Sequence, residues 1–522
     1  MAHTPLIARL RRAYLLSKLA EQKNVSPQQI LEMQEQFRAS RRKFIGNTVK
    51  AGALLSAGSL VSSFSGCKKE GAYNGDKIIA IVGGGISGLN AAYQLKKKGV
   101  NSVVLESSSR PGGRMLSKTD LIATGITTEV GAEFVDTNHE DMLSLIEEFG
   151  LRKIDVTEDV TAEKETFFIN NQHYSLEEVV DAFSQVAPKI EADQASIDED
   201  YSNEATITLD NTDLKSYLGN LGGEAWFSRM LDYAYLAEFG IETAEQSALN
   251  FVDFISTEVL PDEFKIFGES DERFKVIGGN QRVCEELYKR VKDQVVFDRK
   301  LSSLVKEGNK YKLEFEGGGV FTADIVIMTM PYTILREINF DIPEMSAEKR
   351  QCIDELGYGS NAKIMFGFNK RAWREHGKQG YLFNEDIQNG WDHGHMQNGN
   401  NGNTGYTVFV GGVKGIEANT KPLGELKDFY LPILDTIYPG SKDYHNGKSH
   451  IAKWVTNPLI KASYPSYKVG QWTTISGLEI EPVGDVYFAG DHCSDEFQGY
   501  MNGGAQTGRM AAEAVLERLG VK

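Results

Sequence analysis

The run IIAIVGGGISGLNAAYQLKKKGVNSVVLESSSRPGGR, residues 78–114, dictates a strand, a glycine turn, a helix and a second strand in that order. Ile78 to Val82 are apolar and almost all β-branched, which reads as a buried strand. Gly83, Gly85 and Gly88 follow in G-x-G-x-x-G spacing, with Ser87 among them as a further contact to a bound cofactor. In such a turn the first glycine permits the tight bend. The second lets backbone approach a pyrophosphate, and the third lets helix and strand pack closely. The helix start presents free N–H groups and a positive dipole end. The second strand, Val103 to Leu105, ends at Glu106, eighteen residues past Gly88. An acid there accepts hydrogen bonds from an unphosphorylated ribose, so the turn predicts FAD or NAD rather than NADP.

Two further segments favour FAD. Arg110-Pro111-Gly112-Gly113-Arg114 comes directly after Glu106, where Gly113 and the Arg114 guanidinium can clamp a diphosphate. Gly131-Ala132-Glu133 is a further close-approach segment. Near the C-terminus a strand from Val486 to Ala489 ends in Gly490-Asp491, and a glycine-rich turn then opens a helix from Ala505 to Leu519. The Asp491 carboxylate can bond ribityl hydroxyls, and the start of the helix at Ala505 can face the pyrimidine end of a flavin.

Together these end segments resemble the flavin amine oxidase family: monoamine oxidases, polyamine oxidases and L-amino acid oxidases. Val276-Ile277-Gly278-Gly279-Asn280-Gln281-Arg282, and Ala323 to Ile327 running on to Pro331, are similar to intermediate blocks of that family. The resemblance covers most of residues 76–520. It implies an α/β fold with a Rossmann-like FAD-binding domain of discontinuous segments (76–150, 271–335 and 456–522). An inserted α+β substrate-binding domain takes 151–270 and 336–455. In the first insert Ile190 to Thr206 reads as an acidic exposed loop. In the second, Lys363–Phe368 and Gly405–Gly412 read as strands and Asn389 to Asn403 as loop.

The resemblance also implies site residues. Leu301 falls where an aliphatic residue holds the adenine by backbone contacts. Lys363 matches the lysine that reaches flavin N5 through a water, where a cation stabilises charge on reduced flavin and on oxygen. Tyr464 and Tyr500 match a pair of rings that align an amine before the flavin. Ser463 stands where covalent members have a cysteine, so the FAD is expected to be noncovalent. No arginine follows Gly131-Ala132, so a substrate carboxylate has no partner there. Glu133 suits an amine better, either recognising a second nitrogen or lying buried against backbone. His492 is expected to position the flavin, and Trp454 to serve packing.

The expected reaction is oxidation of a small-molecule amine to an imine, then an aldehyde, by hydride transfer to flavin N5. Oxygen or another acceptor takes the electrons, with hydrogen peroxide as the product from oxygen. L-amino acid oxidases, FAD desaturases or protoporphyrinogen-type oxidases, a non-redox flavin mutase and an FAD-holding lipoprotein are the competing readings. The net charge of −17 argues against nucleic acid as a partner. Four scattered cysteines (Cys67, Cys284, Cys352 and Cys493) form no C-x-x-C pair, and no metal is expected.

The first 39 residues form an extension with helical periodicity and no assigned role. Residues 40–67, SRRKFIGNTVKAGALLSAGSLVSSFSGC, resemble a twin-arginine export signal with a lipoprotein box ending at Cys67. The twin-arginine export machinery is therefore an expected partner. The expected location is outside the bacterial cytoplasmic membrane, periplasmic or tethered through a lipidated Cys67.

Overall fold

A computed structural model describes residues 75, 77–198, 201–261, 263–399 and 402–521. The twin-arginine segment, Cys67 and the N-terminal extension lie outside the described residues.

Along the chain the elements that build the site are β1 (Ile79–Val82), α1 (Ile86–Lys97), β2 (Val103–Leu105), β3 (Glu163–Ile169), α2 (Leu176–Ser196) and α3 (Ala225–Phe239). They continue as β4 (Val295–Val296), β5 (Ile325–Met328), β6 (Ala362–Phe368), β7 (Gln388–Asp392), β8 (Thr404–Val410), β9 (Val486–Phe488) and α4 (Met501–Arg518).

Five strands form one parallel sheet in the order β9-β5-β1-β2-β4. β1 and β5 are buried along their whole length, as strands covered on both faces must be. On one face Leu89, Ala92 and Leu95 of α1 pack with Ile79 and Ile81 of β1 and with Ala512 and Val515 of α4. Two glycines let α4 press against α1. A Cβ at Gly508 would lie 2.3 Å from the Ser87 carbonyl oxygen, and one at Gly504 would lie 2.8 Å from the Ile86 side chain. Two segments far apart in sequence, α1 and α4, are thus locked into one layer.

The second large sheet has seven strands, ordered His445–Ala452, β6, β8, β7, Lys378–Asn384, β3 and Gln172–Tyr174. Its neighbours are antiparallel except for the parallel pair of β3 with Lys378–Asn384. Helices α2 and α3 bring apolar side chains, including Phe183, Val186, Phe227 and Leu231, against Phe167 of β3. This mixed α/β architecture is the expected fold class.

Two expectations change. The stretch from Ile190 is not loop at its start, because α2 continues to Ser196. A capping box between Ser175 and Glu178 starts the helix, and the buried stripe Val179, Phe183, Val186 and Ile190 carries it past Pro188. The expected loop from Asn389 begins as strand: Asn389 to Asp392 belong to β7, paired with β8. Its Asn and Asp side chains are buried, so polarity misled the reading.

Candidate active site

A cavity of about 1210 Å³ runs from the glycine turn after β1 to the aromatic wall under the second sheet. Among its walls are Gly83, Gly85, Ser87, Glu106, Gly113 and Arg114 at one end. Lys363, Tyr464 and Tyr500 lie at the other, and Gly490 and Asp491 line it beside Arg114.

The three glycines of the turn have three different surroundings. Gly83 has φ of +113°, and a Cβ there would meet Thr329 Oγ1 at 2.4 Å. A Cβ on Gly88 would lie 2.0 Å from the Gly83 carbonyl oxygen. Gly85, by contrast, has nothing within 4 Å of the position its Cβ would take. The middle glycine therefore faces open cavity, where a diphosphate would come against backbone, while its two companions serve the bend and the packing. Helix α1 starts at this point with no acid in its first turn and no side-chain cap, so its free N–H groups remain for an anion. Helix α4 likewise starts uncapped, behind Tyr500, with Met501 and Gly504 on the cavity wall. These surroundings fit a flavin dinucleotide.

Glu106 is held in place. One carboxylate oxygen accepts the Gly84 N–H at 2.5 Å, and the other accepts the Ser108 N–H at 2.7 Å and its hydroxyl at 2.6 Å. Arg114 is not free: its guanidinium makes a bidentate pair with Asp491, one arm at 2.8 Å, and also donates to the Ser463 carbonyl at 2.6 Å. Burial alone would raise the Asp491 pKa, but the Arg114 charge holds it down to about 2. Gly131 and Ala132 line the cavity. A Cβ on Gly131 would overlap the Arg114 carbonyl oxygen at 1.7 Å, so this glycine serves chain crossing as well. Three expected contacts are not on the cavity wall. Gly88 is buried against Gly83 and Ile81, and Ala505 in the α1–α4 contact, where its carbonyl accepts from Asn90 at 2.7 Å. Leu301 starts a strand with its side chain in the core. The backbone bonded to Glu106 is that of Val296, whose carbonyl accepts the Glu106 N–H at 2.9 Å, and of Arg299, whose N–H donates to the Glu106 carbonyl at 2.8 Å.

At the other end Lys363, on β6, donates to Glu133 Oε2 at 2.7 Å and to the Gly131 carbonyl at 2.7 Å. Lys275 donates to the other oxygen of Glu133 at 2.7 Å. Burial would raise the Glu133 pKa, but the two ammonium groups hold it down to about 2. An acid so fully paired does not recognise a second substrate nitrogen, which corrects one of the two readings of Glu133. Trp454 bonds the Val130 carbonyl at 3.1 Å and also lines the cavity.

Tyr464 and Tyr500 are fastened to one residue. The Tyr464 hydroxyl donates to the Glu238 carbonyl at 2.5 Å, and the Tyr500 hydroxyl reaches Glu238 Oε1 at 3.4 Å. His139 braces Tyr500 edge-on, with ring centroids 5.2 Å apart. Ser463 donates to Asn361 Oδ1 at 2.7 Å. Both His492 nitrogens are buried without a hydrogen-bond partner.

Sequence reasoning missed Glu238, Glu272 and Lys275. Two had a local signal. Glu238 is an acid in the last turn of α3, just before the left-handed Gly240, where the helix dipole opposes it. Lys275 is a charge within the buried strand Phe274–Val276. Glu272 had none in the sequence: its mark, a backbone φ of +49° that is uncommon for a residue other than glycine, shows only in the fold.

The family model described as flavin containing amine oxidoreductase matches residues 86–516, from the start of α1 into α4. The chain belongs to that family. It is an enzyme of the flavin amine oxidase type with FAD as its cofactor. Among relatives, the L-amino-acid oxidase of Daboia russelii is 23% identical over 84% of this chain and 89% of its own length. The flavin-containing amine oxidase B of Canis lupus familiaris is 24% identical over 85% of this chain and 86% of its own. Among solved structures, a putrescine oxidase bound to putrescine has a TM-score of 0.73 at 21% identity, covering 85% of this chain and 99% of that one. The cyclohexylamine oxidase of Brevibacterium oxydans has a TM-score of 0.72 at 19% identity, covering 85% and 100%. These structures share the family's fold.

Proposed function

We propose that this flavoenzyme oxidises a primary or secondary amine and that its substrate nitrogen lies between Tyr464 and Tyr500. The observation that carries the reading is the shared fastening of both rings to Glu238 in a cavity that reaches back to the glycine turn. A bound flavin supplies the acceptor for the α-hydrogen as a hydride equivalent and returns its electrons to oxygen as peroxide. The protein's part is to orient and to hold charge. The two rings present π-faces to the nitrogen and keep the α-carbon aligned. Lys363, held by Glu133 and the Gly131 carbonyl, keeps a positive charge at a fixed point of the cavity wall. Arg114 and Asp491 join the two cofactor-facing segments. Ser463 supports noncovalent retention, since a hydroxyl bonded to Asn361 offers no thioether.

Purified protein should be yellow, and anaerobic addition of amines should bleach it. A yellow protein that no amine bleaches would refute the reading. Lys363→Met should slow reoxidation more than reduction, and unchanged rates in both half-reactions would remove its role.

The N-terminal segment supports export by the twin-arginine route, ending in a lipidated Cys67. That route carries folded proteins, which suits an enzyme that takes up its cofactor first. Metabolic labelling with a radioactive fatty acid tests the tether: Cys67→Ala should abolish the label, and Arg41→Lys with Arg42→Lys should leave the enzyme in the cytoplasm. Label on the Cys67→Ala protein would refute lipidation there, and export of the double variant would refute the route.

A further inference from the structure

The far wall of the amine cavity carries acids that the protein leaves without counter-charge. Glu238 ends α3 and holds both tyrosines. Glu272 and Asp136 lie beside it: the Glu272 N–H donates to Asp136 Oδ1 at 2.9 Å, and Ser270 donates to Asp136 Oδ2 at 2.7 Å. All three acids line the cavity. Among the described residues neither Glu238 nor Glu272 has an ion pair with Lys or Arg. The cation in range of Glu272 and Asp136 is Lys164, which is half-exposed and lies 3.5 Å from Glu165. The contrast with Glu133, which has two lysines to itself, is sharp. Burial raises all three pKa values, to about 8 for Glu238, about 7 for Glu272 and about 6 for Asp136. The charge of each also opposes ionisation of Glu238.

A second observation marks the same wall as unfinished. Trp391 lines the cavity with its indole N–H buried and unpartnered. Buried polar groups in native proteins find partners. An ammonium-bearing chain entering past Trp391 would give the acids their counter-ion.

We propose that the substrate is a dication, an aliphatic diamine or polyamine. Its reacting nitrogen lies between Tyr464 and Tyr500, and its distal ammonium is held by Glu238, Glu272 and Asp136. This rests on the amine oxidase reading and narrows it. The acids do not touch the reacting carbon. They act on binding, and they exclude substrates whose far end carries a carboxylate.

The test compares matched pairs: cadaverine with n-pentylamine, and hexamethylenediamine with n-hexylamine. In the holoenzyme kcat/KM should favour each diamine by about tenfold or more, as a charged hydrogen bond at a desolvated site implies. Glu238→Gln and Glu272→Gln should each cut that ratio severalfold while the flavin spectrum persists. Calorimetry on dithionite-reduced enzyme, which cannot turn the amine over, gives an independent readout: the diamine should bind more tightly than its monoamine. Equal kcat/KM and equal binding within each pair, or ratios unchanged in both variants, would overturn the proposal. Tight diamine binding without bleaching of the oxidised flavin would instead refute oxidation and leave the acid wall standing.

Discussion

Lys363 Nζ and Glu133 Oε2 are 2.7 Å apart in the floor of the cavity, and Lys275 grips the other oxygen of the same carboxylate. One negative charge is shared by two buried positive ones, so removing it takes the ion pair from both ammonium groups. Glu133→Gln should therefore cost about 3–5 kcal/mol of stability, as expected for breaking a buried pair. Thermal unfolding of the flavin-loaded protein would show the loss, and an unchanged midpoint would refute it.

The glycine turn separates folding from binding. Gly88→Ala places a methyl 2.0 Å from the Gly83 carbonyl and should prevent stable folding. Gly85→Ala meets open space in the protein and has an ordinary φ of −76°. It should fold yet retain flavin at least about tenfold more weakly, because the methyl takes space the diphosphate needs. Flavin content after dialysis, set beside circular dichroism, distinguishes the two.

Acid and alkaline pH should act through different carboxyls. Glu133 falls from its ordinary 4.5 to about 2, so its stabilising effect is complete above about pH 4.5 and is lost as pH drops toward 2. Glu238 rises from 4.5 to about 8, Glu272 to about 7, and Asp136 from 3.8 to about 6. The folded state binds those protons more tightly than the unfolded chain. Stability is therefore greatest below their unfolded values and declines as pH climbs toward 8. Denaturant titrations between about pH 5 and 8 should show the decline, and Glu238→Gln should flatten it by at most about 1.4 kcal/mol per pH unit. A bound dication would flatten it too.

Asp491→Asn breaks the bidentate pair with Arg114 and leaves a guanidinium that is otherwise bonded, among the described residues, to the Ser463 carbonyl. The amide keeps the volume but loses the charge. The Kd for flavin should rise at least about tenfold, with a shift in the bound flavin's absorbance maxima. Unaltered affinity and spectrum would remove Asp491 from the cofactor site.

The cofactor end of the cavity was legible because its signals are local. A buried apolar strand, a glycine turn and a helix start lie within a few residues of one another, and Gly83, Gly85 and Gly88 can be told apart by spacing alone. The substrate end was not. Glu238, Glu272 and Asp136 are separated in sequence and gain meaning only when α3 and the loop before Phe274 meet at Tyr500. Glu238 looks like an ordinary surface acid until its helix end is seen to be roofed by Tyr464. The polar strand at Asn389 was hidden for the opposite reason: side chains that usually mark loops are buried there by the sheet on either side.

The fit of α4 against α1, where Gly508 leaves no room above Ser87, also makes one groove depend on two distant stretches of chain. The nucleotide end is written between Ile79 and Arg114, but the helix packed behind it runs over Met501–Arg518. Neither stretch makes the groove alone. Truncation within α4 should therefore yield colourless protein even though every residue of the early turn is present.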